Sequence, residues 1–144
     1  DASGLFSFVD RKKNIIRRSG ENIAAAEVEA CITAHDRVKQ VAVIAAPDEV
    51  REEEIMACVI VKPGVDVGDV AAREALAKDI FEWCYERMAY FKAPGWVLFV
   101  DSLPMGTSAK VQKIHIFPPG VDPRATPGAI DLRKSKKQKP GAPR

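Results

Sequence analysis

Histidine and cysteine are scarce in this chain: two and three, respectively, in 144 residues. The cysteines (Cys31, Cys58 and Cys84) are odd in number, far apart and never in a C-x-x-C pair. That excludes a disulfide framework and points to reduced, buried thiols, hence a cytoplasmic setting. His35 and His115 are too scattered for metal-ligand spacing, so no metal site is expected. No apolar run approaches the roughly 20 residues of a spanning helix, so no membrane span is expected. An initiator methionine is also missing. Asp1-Ala2-Ser3-Gly4 is a turn signal that runs directly into strand-like LFSFV at 5–9, as in a piece cut from the middle of a longer protein.

What is present describes a folded domain with a real core. Hydrophobic residues make up 47% of the chain and charged residues 29%, ordinary values for a globular protein. The net charge of +2 hides an uneven distribution. Residues 1–117 hold 15 basic against 18 acidic side chains, and 118–144 hold 7 against 2. Binding to nucleic acid needs a folded basic face, which an acidic body does not offer, so no nucleic-acid partner is expected.

Periodicity supplies the elements. Residues 5–9 and 14–17 flank the basic turn Arg11-Lys12-Lys13 and read as a two-stranded ribbon, broken by Ser19-Gly20. Over 24–35, Val28, Cys31, Ile32 and His35 fall on one helical face. His35, at the end of that helix, reads as a structural histidine. Residues 38–47 form a continuous apolar run, expected as a strand buried on both faces. An acidic loop at 48–54 leads to a second strand at 55–62. Residues 70–88 carry Leu76, Ile80, Trp83, Cys84 and Met88 at three- and four-residue steps, the strongest helix. A third strand follows at 96–100. From Pro118 onward, six prolines in 27 residues break every period, which predicts a basic tail over 118–144 that is disordered or draped over the surface. The fold class expected is α+β: a small three-stranded sheet with helices on its faces, preceded by the ribbon.

Two segments carry chemistry. Lys110 follows Pro104-Met105-Gly106-Thr107-Ser108-Ala109, a loop of small residues that lets a long cationic side chain approach a ligand. The other is DRKKNIIRRSGENIAAAEVE at 10–29. With LPMGTSAKVQK at 103–113, AAPDEVREEEIMACVIVKPG, MAYFKAP and WVLFVDSLP, it resembles the C-terminal domain of the adenylate-forming enzymes. These include acyl-CoA synthetases, peptide-synthetase adenylation domains and beetle luciferases. VDRKKNIIRRSGEN and EVREEEIMACVIV look most like the crotonobetaine/carnitine-CoA ligase branch.

The resemblance implies a two-step reaction. A carboxylic acid and Mg2+-ATP give an acyl adenylate and pyrophosphate, and coenzyme A then displaces AMP. Residues 1–12 would be the stub of a large N-terminal domain that binds most of the ATP and Mg2+. Residues 13–117 would be the mobile domain that rotates between steps. Carried over by motif, Lys110 falls on the adenylation lysine, Arg11 on the arginine near the ribose, and Lys13 on the hinge. Gly20 falls on the glycine walling the pantetheine tunnel, and Phe91 on an aromatic that stacks on the coenzyme A adenine. This chain departs from the pattern at Asp10, at Ala109 before the lysine, and at Ala93, where some relatives have a basic coenzyme A contact. Residues 114–119 also replace a usual charged helix. Without the larger domain the chain is expected to be inert. Two other functions remain open: a peptide-synthetase subdomain serving a carrier protein, and a non-enzymatic module that uses its basic tail on RNA or anionic surfaces.

Overall fold

The computed structural model describes residues 15–104, 116–117 and 122–136. Strands β1 (Ile15–Arg18) and β2 (Glu21–Ala24) form a tight antiparallel hairpin around Ser19-Gly20. Both turn residues have positive φ, 52° and 85°. That is the primed turn whose twist matches a two-residue hairpin, and glycine takes the second position without the Cβ penalty. The ribbon therefore continues past the Ser-Gly turn rather than ending at it. The expected partner strand at 5–9 lies outside the described residues.

Helix α1 (Ala25–Thr33) starts directly from β2 and buries Ala25, Val28 and Ile32. β3 (Val38–Asp48) and β4 (Glu52–Val61) form a long antiparallel pair. Asp48 shapes their turn, its carboxylate accepting the Val50 and Arg51 amides at 3.1 and 2.8 Å. Helix α2 (Val70–Arg87) is capped by Asp69, which accepts the Ala72 amide at 2.7 Å. The helix carries the chain across to β5 (Trp96–Phe99), parallel to β4, a crossover that hairpin geometry cannot make. β6 (Ile130–Asp131) then adds antiparallel to β5. Among the described residues the path runs β2-β1-β4-β5-β6, with β3 on the other edge of β4.

β4 is buried without interruption from Glu54 to Val59, because it has apolar neighbours on both faces. Ile55, Ala57 and Val59 meet Val28, Ile32, Leu76, Ile80 and Cys84 of the two helices. Met56 and Cys58 face the other way, with Ala42, Trp96 and Leu98. Neither helix reaches this second cluster. Leu103, Ile116, Phe117 and Ala129 cover it instead. Helices on the faces of the sheet were expected, and the two described helices share one face.

Part of the tail expected to be disordered or draped over the surface is described, and it packs against the sheet. Residues 122–136 are ordered: Leu132 is buried and its amide donates to the Gly95 carbonyl at 2.7 Å. Arg133 reaches Asp48 at 2.8 Å and Lys136 is buried. Proline and charge content suggested solvation. Two of the anchors, Asp48 for Arg133 and Glu54 for Lys136, are more than 80 residues away, which no local period reveals.

Candidate functional site

Arg11, Lys13 and Lys110 lie outside the described residues. Leu103, buried among the second cluster, seats the chain that leads towards Lys110. Gly20 and Phe91 are both described, and the structure links them.

Gly20 stands exposed at the tip of the β1–β2 hairpin, with nothing within 4 Å of the position a Cβ would take. Its backbone torsion, not local crowding, is what calls for glycine, and open space lies before it. The β3–β4 turn fixes the hairpin. The Ser19 amide donates to the Arg51 carbonyl at 2.9 Å, and the Arg51 guanidinium donates to Ser19 Oγ at 3.3 Å. Phe91 lies in the short 3-10 turn Tyr90–Lys92 after α2, half-buried, edge-on to Tyr90. Lys92 ties this turn to α1 through Glu27 at 3.0 Å.

Between the hairpin and this turn is a buried charge cluster that sequence reading missed. Arg18, the last residue of β1, donates from Nε to Glu54 Oε1 at 3.0 Å. Lys136 donates from Nζ to Glu54 Oε2 at 2.7 Å and to the Phe91 carbonyl at 2.9 Å. The Ile55 amide also donates to Glu54 Oε2, at 2.8 Å. All three side chains are at most 5% exposed. Gly95 makes the room: a Cβ there would fall 2.5 Å from Glu54 Cγ and Cδ. Burial pulls the Lys136 ammonium down to about 8, against the attraction of Glu54 and with the repulsion of Arg18. In the sequence Glu54 reads as the end of an acidic loop. The only hint of burial is that it adjoins the apolar run.

The remaining candidates are structural. His35 donates from Nε2 to Asp79 at 2.6 Å, because Nδ1 accepts the Arg37 amide at 3.1 Å. Its ring stands edge-on to Trp83. Ala93 is fully buried in the helix-covered cluster, so it presents no contact to a ligand. The cysteines are free, and burial beside Cys31 pushes the Cys84 thiol well up. Among the described residues no group of His, Cys, Asp and Glu could hold a metal. No helix there is long and apolar enough to cross a membrane.

Comparison with known proteins decides the family. The family model described as the AMP-binding enzyme C-terminal domain matches residues 27–110. The chain belongs to the AMP-binding enzyme C-terminal domain family. Within it, the chain is similar to the crotonobetaine/carnitine–CoA ligase of Proteus mirabilis strain HI4320, 42% identical over 116 residues. A ligase of the same name from Salmonella arizonae is 35% identical over 116 residues. Each match takes in 81% of this chain and 21% of the relative, so the chain spans about a fifth of their length. Among solved structures it resembles an acyl-CoA synthetase of Brucella canis at TM-score 0.63 and 29% identity, over 69% of this chain and 18% of that one. A fatty acyl CoA synthetase of Mycobacterium tuberculosis gives 0.59 and 31%, over 70% and 18%. An AMP-binding C-terminal domain of α+β architecture was the expectation, and it holds. Arg133, Lys134 and Lys136 lie beyond the family-matched residues.

Proposed function

We propose that this AMP-binding C-terminal domain is the mobile lobe of an ATP-dependent acyl-CoA ligase, which joins a carboxylic acid to coenzyme A. Its likeness to crotonobetaine/carnitine–CoA ligases favours coenzyme A over a carrier protein as acceptor. The structural observation that carries the reading is the Gly20 hairpin and the Phe91 turn braced together by Arg18, Glu54 and Lys136.

In the first half-reaction the carboxylate attacks the α-phosphate of ATP, held with Mg2+ mainly by the partner N-terminal domain. Lys110 bridges the carboxylate and phosphate oxygens there, where its charge counters the negative charge that builds in the transition state. Arg11 lies near the ribose. The lobe then turns about Lys13, at the border between the stub 1–12 and the moving part, and presents a second face. On that face the bare backbone at Gly20 walls the pantetheine tunnel and Phe91 stacks on the coenzyme A adenine. Such a ligase would work in the cytoplasm, and this chain without the larger domain would be inactive.

Separating the half-reactions in the intact protein tests this. Lys110→Ala is expected to slow carboxylate-dependent pyrophosphate release by about 10²–10³ while sparing thioester formation from supplied acyl adenylate. Gly20→Leu is expected to do the reverse. Equal loss of both steps in either variant would remove that residue from its assigned step.

A further inference from the structure

In the sequence the three cysteines are far apart, but the fold brings two of them together. Helices α1 and α2 meet in a register that two hydrogen bonds fix. His35, just past α1, donates from Nε2 to Asp79 at 2.6 Å. Four residues back along α1 and four onward along α2, Trp83 Nε1 donates to the Cys31 carbonyl at 2.8 Å. Cys84 follows Trp83 onto the buried face of α2, where its thiol meets that of Cys31. Both belong to the helix-covered cluster, Cys84 within it and Cys31 packed against it.

The two thiols are not equivalent. Cys31 is half-buried and open to a small oxidant, whereas Cys84 is fully buried. Burial keeps the Cys84 sulfur protonated, so it is a poor first nucleophile. Arg87 lies over the Trp83 ring at 3.4 Å and donates to the Trp83 carbonyl at 3.1 Å, which sets a positive charge beside the pair. Such a charge favours a thiolate. Cys58 sits in the second cluster, on the opposite face of the sheet, out of reach of both.

We propose that Cys31 and Cys84 are a dithiol pair that hydrogen peroxide oxidises to a disulfide, stapling α1 to α2. The Cys31 sulfur attacks one peroxide oxygen. The O–O bond breaks, and the leaving hydroxide takes up the thiol proton as water, so Cys31 becomes a sulfenic acid. The Cys84 sulfur then attacks the Cys31 sulfur. The S–S bond forms as the S–O bond breaks, and the Cys84 proton leaves with the hydroxyl as a second water. Two thiols are thereby oxidised and one peroxide is reduced to two waters. α1 continues directly from the Gly20 hairpin and α2 runs to the Phe91 turn, so the link ties together the helices that carry those elements. This thiol chemistry is independent of the ligase reading.

The test treats the full chain with hydrogen peroxide, blocks the remaining thiols after unfolding, and digests with trypsin without reductant. Cleavage leaves Cys31 in residues 19–37 and Cys84 in residues 79–87, both separate from Cys58. Mass spectrometry is expected to find those two peptides joined, lighter by two hydrogen atoms than their sum, as the free-thiol count falls from three to one. The joined form is expected to melt roughly 5–15 °C higher than the reduced form, and dithiothreitol to reverse both changes. Cys58→Ser should keep the link, and Cys31→Ser or Cys84→Ser should lose it. Three thiols still titrating while the same peroxide consumes free cysteine would overturn the pair. So would a sulfinic acid on Cys31 beside unmodified Cys84, or a link through Cys58 or between two chains. A joined form that melts no higher than the reduced one overturns the staple.

Discussion

Two regions of the sheet are held by opposite kinds of interaction. Under the helices, Ile32, Leu76, Ile80 and Cys84 of α1 and α2 press on Val43, Ile55, Ala57 and Val59, and the contact is apolar throughout. Each large side chain buried there contributes about 1.5–3 kcal/mol, and no single one decides the arrangement. Where the tail docks, by contrast, a single carboxylate, Glu54, satisfies Arg18 and Lys136 together. Apolar burial is non-directional and spreads its effect over many residues. The charged region is directional, so its integrity depends on individual atoms. It also costs desolvation that its Coulomb attraction only partly offsets, which makes it a means of fixing geometry more than a source of stability.

Removing one charge strains this contrast most. Glu54→Gln keeps the volume but leaves Arg18 and Lys136 buried without a counter-charge. A loss of roughly 3–5 kcal/mol in denaturant-unfolding free energy is expected. A loss below about 1 kcal/mol would mean that the tail is not held through Glu54.

A smaller effect is expected from pH. The folded ammonium of Lys136 titrates at about 8, below its ordinary 10.5. Between those values the unfolded chain binds more protons than the folded one, so stability rises with pH. The penalty is complete below about pH 8 and disappears above 10.5, and its full size is roughly 3 kcal/mol. Lys136→Met keeps the Arg18–Glu54 pair and should lack that rise. The difference between the two proteins in melting temperature from pH 7 to 10.5 measures it, and parallel curves would refute it.

The smallest effect belongs to the apolar side. Ile80→Val deletes one buried methyl under α2 and should cost about 1 kcal/mol. A loss in denaturant unfolding as large as that of Glu54→Gln would erase the distinction between the two regions.

How far the sequence could be read follows the same division. The helical face of Leu76, Ile80 and Cys84 and the apolar runs of β3 and β4 were legible, because the signal lies in neighbouring residues. Gly20 was legible through its motif, although the structure gives its local reason as a positive φ. The β1–β2 hairpin was not anticipated because Glu21–Ala24 has little alternation. Glu54 and Lys136 were illegible for a different reason: they are 82 positions apart, and each looks like a solvated surface charge.

By itself, then, the sequence determined the family, both helices, the strands β3, β4 and β5 and the apolar core, since periodicity and motif are local properties of the chain. Only the tertiary structure decided that both helices share one face, that the proline-rich tail joins the sheet, and that Gly95 admits Glu54 to a buried charge pair. Those outcomes depend on which distant groups meet once the backbone has closed. Their energies come from desolvation and directional bonding at that meeting, which no window of neighbouring residues records.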